Sequence, residues 1–202
     1  MSIIICPGIH SPQLTDNFVS QCIKPIMEEL GCHNSVELLV LPNRGMLNLS
    51  GVYIFKYLYE HLNADFSFSL RNQYTTPLIF ISFSAGVLGA IIAAFNWQIS
   101  GGKIKAFIAM DGWGVPLITS CINFPIHRIS HDYFTHWSSR ILGIGNNNFY
   151  ADPFVEHLEM WRSPQVVQGW WVDSPMNESN YNKSLGLIEF LYLLLQEYTK
   201  NS

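Results

Sequence analysis

Short apolar runs alternate along this chain with longer segments whose apolar residues recur at helical spacing. Most of these runs end at proline, glycine, asparagine or aspartate, the residues that form turns. A run in which nearly every position is apolar predicts a strand that is buried on both faces of a sheet. The predicted strands are Ser2–Cys6, Val36–Leu41, Leu78–Ile81, Lys105–Met110 and Phe124–Ser130.

The segments between the strands favour helices. In the segment that begins at Gly51, the apolar residues fall on one stripe, as on a helix with one buried face. The segment from Tyr133 to Trp161 has weak periodicity and many aromatic residues, and it predicts no regular element as a whole. The predicted helices are Asp16–Leu30, Gly51–Asn63, Val87–Phe95, Gln165–Val172 and Tyr181–Lys200.

This alternation of strands and helices joined by short loops predicts an α/β fold. We expect a mostly parallel sheet with helices on both faces. No repeat, linker or low-complexity tract interrupts the pattern, and 202 residues suit one core. Residues 1–202 are therefore predicted to form a single domain.

The composition indicates which kinds of molecule this protein would bind. Hydrophobic residues make up 49% of the chain, charged residues only 13%, and the formal net charge is −4. Nucleic-acid binding has little electrostatic support, because the sequence contains no cluster of basic residues. An apolar or neutral small molecule suits this composition better than a polyanion.

The cysteines and the N-terminus favour a cytoplasmic protein. Cys6, Cys22, Cys32 and Cys121 show neither a C-x-x-C motif nor zinc-ligand spacing, so we expect reduced and mostly buried thiols. The first residues lack the basic region of a signal peptide. The stretch 77–97 is long enough to suggest a membrane span, but the polar motif at its centre favours a buried strand and helix instead. We expect no membrane span.

That motif, Ser82-Phe83-Ser84-Ala85-Gly86, lies between a predicted strand and a predicted helix. A strand, a sharp turn of small residues and a helix form a nucleophile elbow, which usually reads G-x-S-x-G. Here Ser82 replaces the first glycine. The motif places the Ser84 hydroxyl at the carboxyl edge of the sheet, although the same residues also suit a plain turn between two core elements.

A second motif lies downstream. His157 stands in a loop and is followed by an apolar step and by Ser163-Pro164, which predict the start of a helix. In this respect the chain resembles the α/β-hydrolase superfamily. The stretch 3–8 also looks like the first strand and oxyanion loop of that family, with Pro7 where a histidine is common. The resemblance covers nearly the whole chain and leaves few residues for a cap.

The resemblance implies a serine, acid and histidine triad in that chain order. Ser84 would be the nucleophile, His157 the base and Asp132 the acid. Asp111, at the end of the preceding strand, is the alternative acid, since some lipase-like members carry the acid there. Either aspartate would also suit a turn or a helix cap. The oxyanion hole would consist of the N–H groups of Ile9 and Ala85.

Other residues are predicted to line the substrate pocket: His10, Trp113 and His131. The histidines near residue 131 also suggest a metal site, but their spacing is that of a strand, and no carboxylate or thiol completes a zinc set. We expect neither a metal nor a cofactor.

The favoured hypothesis is a serine hydrolase that cleaves an ester or thioester with an apolar acyl or alcohol portion. Two alternatives remain open. One is a catalytically inactive binding or scaffolding protein with the same fold, and the other is an acyltransferase that uses the same triad. Oligomeric state does not follow from the sequence.

Overall fold

The structure is a computed structural model that describes residues 1–62, 76–117, 122–143, 145–172 and 183–200. The strands are β1 (Ser2–Cys6), β2 (Glu37–Val40), β3 (Leu78–Phe83), β4 (Ile104–Met110), β5 (Ile126–Ser130), β6 (Asn148–Ala151), β7 (Gln168–Val172) and β8 (Lys183–Gly186). The α-helices are α1 (Pro12–Phe18), α2 (Lys24–Glu29), α3 (Gly51–Leu62), α4 (Gly86–Ile99), α5 (Tyr133–Arg140), α6 (Glu159–Arg162) and α7 (Leu187–Lys200). A π-helical segment, Val19–Ile23, joins α1 to α2, and 3-10 turns occupy Gly45–Leu49 and Pro164–Val166.

The strands form an eight-stranded sheet in the order β2-β1-β3-β4-β5-β6-β7-β8. Strands β1 to β6 pair in parallel, whereas β7 and β8 continue the sheet in antiparallel pairing. The predicted mostly parallel sheet is confirmed. Because parallel strands place their carboxyl ends at one edge, the residues that follow β3, β4 and β5 meet there.

Both faces of the central strands are buried. Along β1, Ile3 and Ile5 face one apolar cluster, while Ile4 and Cys6 face the other. Helices α3 and α4 cover the second face, and the segment from α1 to α2 together with α7 covers the first. Helices on both faces are therefore confirmed, and they explain why these strands are apolar at almost every position.

Two predicted helices are wrong in part. The segment 168–172 is strand β7, because Trp170-Trp171-Val172 prefers strand and pairs with β6, and only a short 3-10 turn follows Ser163. The segment 183–186 is strand β8, and the last helix begins at Leu187. Strand β6, just before the loop with His157, was not predicted. The predicted helix ends at Asn63 and Tyr181 lie outside the described residues.

The thiols of Cys6, Cys22 and Cys32 are free and buried, as expected, and burial raises the pKa of Cys22 to about 12. Cys121 lies outside the described residues. In the part of the chain that the structure describes, no helix is both long enough and apolar enough to cross a membrane.

Candidate active site

The turn after β3 has the form of an elbow. Ser84 has a φ of 53°, its N–H donates to the Met110 carbonyl at 2.8 Å, and α4 begins two residues later. At Gly86 a Cβ atom would lie 2.3 Å from the Pro7 carbonyl oxygen, so only glycine fits there. Ser82 is fully buried, and its hydroxyl donates to the Ile108 carbonyl at 3.2 Å. A serine is thus accommodated where the motif usually has its first glycine.

The turn after β4 repeats this geometry. Asp111 also has a φ of 53°, and its N–H donates to the Ile129 carbonyl of the next strand at 2.7 Å. Among the described residues, Ser84 and Asp111 are the non-glycine residues with positive φ. Such a conformation costs about 1–3 kcal/mol and is concentrated at functional sites. It places both side chains at the carboxyl edge of the sheet.

His157 connects these two residues. Its Nε2 lies 2.9 Å from Ser84 Oγ, and its Nδ1 lies 2.8 Å from Asp111 Oδ2. A carboxylate only accepts, so the Asp111 contact favours the imidazole tautomer with its proton on Nδ1, in which Nε2 can accept from the serine hydroxyl. The three side chains form a hydrogen-bonded chain from carboxylate to hydroxyl. This arrangement can move a proton from Ser84 to His157.

Asp111 is buried, with 1% of its side chain exposed, and it accepts further hydrogen bonds. His131 donates from its backbone N–H to Oδ1 at 2.9 Å and from Nδ1 to Oδ2 at 2.9 Å. Burial alone would raise the pKa of Asp111, but the hydrogen bonds from His131 and His157 outweigh it and hold that pKa below its usual value. The carboxylate is therefore charged at neutral pH.

Asp132, which the sequence favoured as the acid of the triad, does not take that place. It is the N-cap of α5, with extended backbone, and its side chain accepts from the Thr135 N–H at 2.6 Å. The carboxylate beside His157 belongs to Asp111, so the order of preference between the two aspartates is corrected. Asp132 is a capping residue here, because the chain continues straight from β5 into the first turn of α5.

Stacked rings support the His157 imidazole from the core. Phe83 stacks on His157 with ring centroids 4.9 Å apart, and Trp161 stacks on Phe83 at 4.8 Å. Phe18 in turn stacks on Trp161 at 3.6 Å. Phe83 immediately precedes Ser84, so one short segment supplies both the hydroxyl and the ring beneath the imidazole. This role of Phe83 was not predicted, although the motif already placed Phe83 beside Ser84.

A cavity of about 580 Å³ opens beside Ser84. Its lining residues are Leu49, Ser84, Ala85, Leu88, Asp111, Trp113, Val115, His131, Thr135 and His157. Of the predicted pocket residues, Trp113 and His131 lie in this lining, whereas His10 packs near Phe83 and Trp161. The apolar wall of this cavity, formed by Leu49, Leu88 and Val115, was not predicted. Leu88 could have been found, since it lies one helical turn after Ser84.

The loop that follows β1 passes beside the elbow. A Cβ atom at Gly8 would lie 3.0 Å from Ser84 Cβ, and the next residue, Ile9, is 52% exposed. Ala85 lies at the N-terminal end of α4 and lines the cavity. A helix N-terminus favours a developing negative charge. Ala85 thus follows Ser84 directly in the chain, and Ile9 follows the glycine that packs against Ser84; their role as an oxyanion hole stays a prediction.

The donor atoms of Asp111, His131 and His157 lie within 4.8 Å of one another, a spacing that a metal ion could bridge. Each imidazole already donates a proton to the carboxylate through Nδ1. The expectation that no carboxylate would join the histidines is therefore corrected, because Asp111 lies beside both rings. In this structure, hydrogen bonds link the three side chains as one acid with two histidines.

Comparisons with known proteins add little beyond this geometry. No protein-family model matches the chain, and no curated protein sequence matches it. Among solved structures, the chain is similar to YbtT, a type II thioesterase from the yersiniabactin NRPS/PKS biosynthetic pathway (19% identity, TM-score 0.34, 54% of this chain and 41% of that chain). It is also similar to Aspergillus fumigatus lipase B (16% identity, TM-score 0.38, 64% of this chain and 37% of that chain).

The chain thus spans about two fifths of the length of these structures, and likenesses this distant carry no functional argument. The architecture follows from the mostly parallel sheet with helices on both faces and from the elbow-like turn between β3 and α4. The fold is α/β-hydrolase-like.

Proposed function

We propose that this protein is a serine hydrolase that cleaves an ester or thioester with an apolar acyl or alcohol portion. One observation carries the proposal: the hydrogen-bonded chain from Asp111 through His157 to Ser84, with contacts of 2.8 and 2.9 Å. Ser84 lies on a turn with positive φ and borders a cavity, so its hydroxyl can be reached by a substrate.

In the proposed reaction, Ser84 Oγ attacks the substrate carbonyl while its proton passes to His157 Nε2. Asp111 stabilises the resulting imidazolium. The N–H groups of Ile9 and Ala85 would bind the oxyanion, a contribution of about 3 kcal/mol per donor in enzymes where it has been measured. His157 then gives the proton to the leaving alcohol or thiol. Water attacks the acyl-enzyme by the same route and frees Ser84.

The cavity supports an apolar substrate group. The apolar wall of Leu49, Leu88 and Val115 is extended by Trp113. The polar lining residues include His131, Asp111 and His157, whose hydrogen bonds lead to Ser84. Trp113 is 65% exposed, and its indole N–H donates to Ser138 Oγ at 3.1 Å, which fixes the ring at the rim. An apolar chain of the substrate would lie along this wall with its carbonyl at Ser84.

The two alternatives differ in how the geometry bears on them. An inactive binding protein would need no imidazole within hydrogen-bond reach of Ser84, so the observed contact favours the hydrolase. Acyl transfer uses the same three side chains and differs only in the acceptor. The cytoplasmic location and the single domain stay predictions.

A fluorophosphonate probe tests the proposal, because it reacts with an activated serine whatever the natural substrate is. We expect stoichiometric labelling that peptide mapping places at Ser84, and no labelling of the Ser84→Ala variant. Ser20→Ala, at an exposed serine of the π-helical segment, is the matched control and should label like the unaltered protein. 4-Nitrophenyl esters of increasing acyl length then test the apolar wall. Folded protein without labelling at Ser84 would contradict the proposal.

A further inference from the structure

Asp111 binds two histidines rather than one. Its Oδ2 accepts from His157 Nδ1 at 2.8 Å and from His131 Nδ1 at 2.9 Å, so one oxygen serves both rings. The other oxygen accepts from the backbone N–H of His131. The proposed reaction uses His157 only, which leaves His131 without a function although it borders the same cavity.

We propose that His131 is a positioning residue of this site: its ring holds the Asp111 carboxylate in place and, when protonated, reduces the support that Asp111 gives to His157. This inference rests on the proposed function. It adds a control of the reaction by pH, located in a residue that does not touch the reacting atoms.

The positioning role follows from how Asp111 is held. The backbone N–H of residue 131 binds Oδ1 whatever side chain stands there, and this bond fixes one end of the carboxylate. The second oxygen is bound only by the two imidazoles among the described contacts. Without the His131 ring, His157 alone would hold Oδ2. The carboxylate could then rotate away from the line that joins it to Ser84.

The effect of pH on the reaction depends on the charge of His131, which the groups around this residue set. It faces Asp111, Asp132 at 3.8 Å from Nε2, and Glu156, as well as the His157 ring at a centroid distance of 6.0 Å. The hydrogen bond to Asp111 raises the pKa of His131, against an opposing effect of burial, and the three carboxylates add to the increase. His131 therefore carries a proton to higher pH than an ordinary histidine.

A protonated His131 opposes the reaction. His157 must accept the proton of Ser84 and become an imidazolium in the transition state, stabilised by Asp111. With His131 already charged, two imidazolium rings would share one carboxylate and repel each other. The direction of the pH dependence is therefore fixed. The reaction slows as pH falls through the titration of His131, in addition to the loss caused by protonation of His157 itself.

Two substitutions separate the roles. In His131→Asn, the amide nitrogen takes the place of Nδ1, so the donor to Oδ2 stays and the titration is lost. In His131→Ala, both the donor to Asp111 Oδ2 and the titration are lost. The measurement is the rate of Ser84 labelling by a fluorophosphonate between pH 5 and 9, separated into the maximal rate and the half-saturating probe concentration. Thermal unfolding of each variant checks that it is folded.

We expect the unaltered protein to lose labelling rate at low pH more steeply than one ionisation allows. His131→Asn should keep the maximal rate at high pH within about threefold and follow a single ionisation. His131→Ala should lower that rate about tenfold, as for one charge-assisted hydrogen bond, and affect the half-saturating concentration less. His61→Asn, at an exposed histidine of α3, should leave the profile unchanged.

Nuclear magnetic resonance of the imidazoles supplies a readout without activity. In Ser84→Ala protein, the His131 resonances should titrate with a midpoint above that of a free histidine side chain. Three results would overturn the inference and leave the proposed function intact. They are a His131 midpoint below that of a free histidine, a His131→Asn pH profile as steep as that of the unaltered protein, and a His131→Ala labelling rate equal to that of the unaltered protein. Unaltered protein that does not label at Ser84 would overturn both.

Discussion

The turns after β4 and β5 carry an aspartate each, at the same edge of the sheet, yet the two carboxylates do different work. Asp111 turns through a φ of 53°, is buried and accepts three hydrogen bonds from two histidines. Asp132 keeps an extended backbone with a φ of −157°, leaves 29% of its side chain exposed and caps α5. Backbone conformation at the strand end decides which carboxylate faces His157.

The largest effect should come from Asp111→Asn. The amide can offer an N–H to Nδ1, and the imidazole would then carry its proton on Nε2, where it could no longer accept from Ser84. We expect a loss of about 10⁴-fold in the rate of ester hydrolysis or of Ser84 labelling, the size found for such a change in serine proteases.

The matched control is Asp132→Asn, which makes the same change one strand away and keeps an N-cap residue. At high pH, where His131 is neutral, the rate of this variant should stay within about twofold of the unaltered protein, since the Asp132 carboxylate caps α5 and faces His131 rather than Ser84 or His157. Equal losses in both variants would break the comparison between the two turns.

A smaller effect should follow from Asp132→Ala, and it should appear in stability rather than in rate. The Thr135 N–H at the start of α5 loses its acceptor, which costs about 1 kcal/mol. For a chain of this length, Tm should fall by about 2–4 °C in thermal unfolding. Asp132→Ser keeps a capping oxygen and should recover most of the loss. A large fall in rate with unchanged Tm would return Asp132 to the site.

The smallest effect should come from Ser82→Gly, which restores the usual motif before Ser84. The elbow already has its positive φ, and the Ser82 hydroxyl is bonded to the Ile108 carbonyl. Loss of that bond costs about 1 kcal/mol of stability, while the labelling rate should change less than about threefold. A tenfold gain in rate would mean that Ser82 distorts the turn after β3.

The central strands were predictable because burial on both faces leaves almost no polar residue in them. The run Ile3-Ile4-Ile5 is an example, and β3 and β4 repeat it. The C-terminal third was less predictable. Ser163-Pro164 is typical of a helix start, but the turn ends at Val166 and the following residues pair with β6. Strand pairing is a tertiary effect that local sequence does not contain.

The residues of the candidate site were likewise predictable only in part. The motif around Ser84 and the surroundings of His157 identified two side chains that lie in contact. The choice between Asp111 and Asp132 was beyond local sequence, because aspartate suits a turn after either strand. It depends on the backbone angle at residue 111, which neighbouring strands impose through the hydrogen bond from Asp111 to Ile129.

The column of rings from Phe18 through Trp161 and Phe83 to His157 has a consequence for the movement of the base. Aromatic rings attract one another in an offset-stacked geometry, so a ring at the end of the column that slides within its own plane stays stacked, whereas one that tilts leaves the stack. In the proposed reaction, His157 takes a proton from Ser84 and gives it to a leaving group, a short movement that such sliding would allow. The aromatic column would thus guide the imidazole along the direction in which the proton must travel, and restrain it in the directions that would break its contact with Asp111.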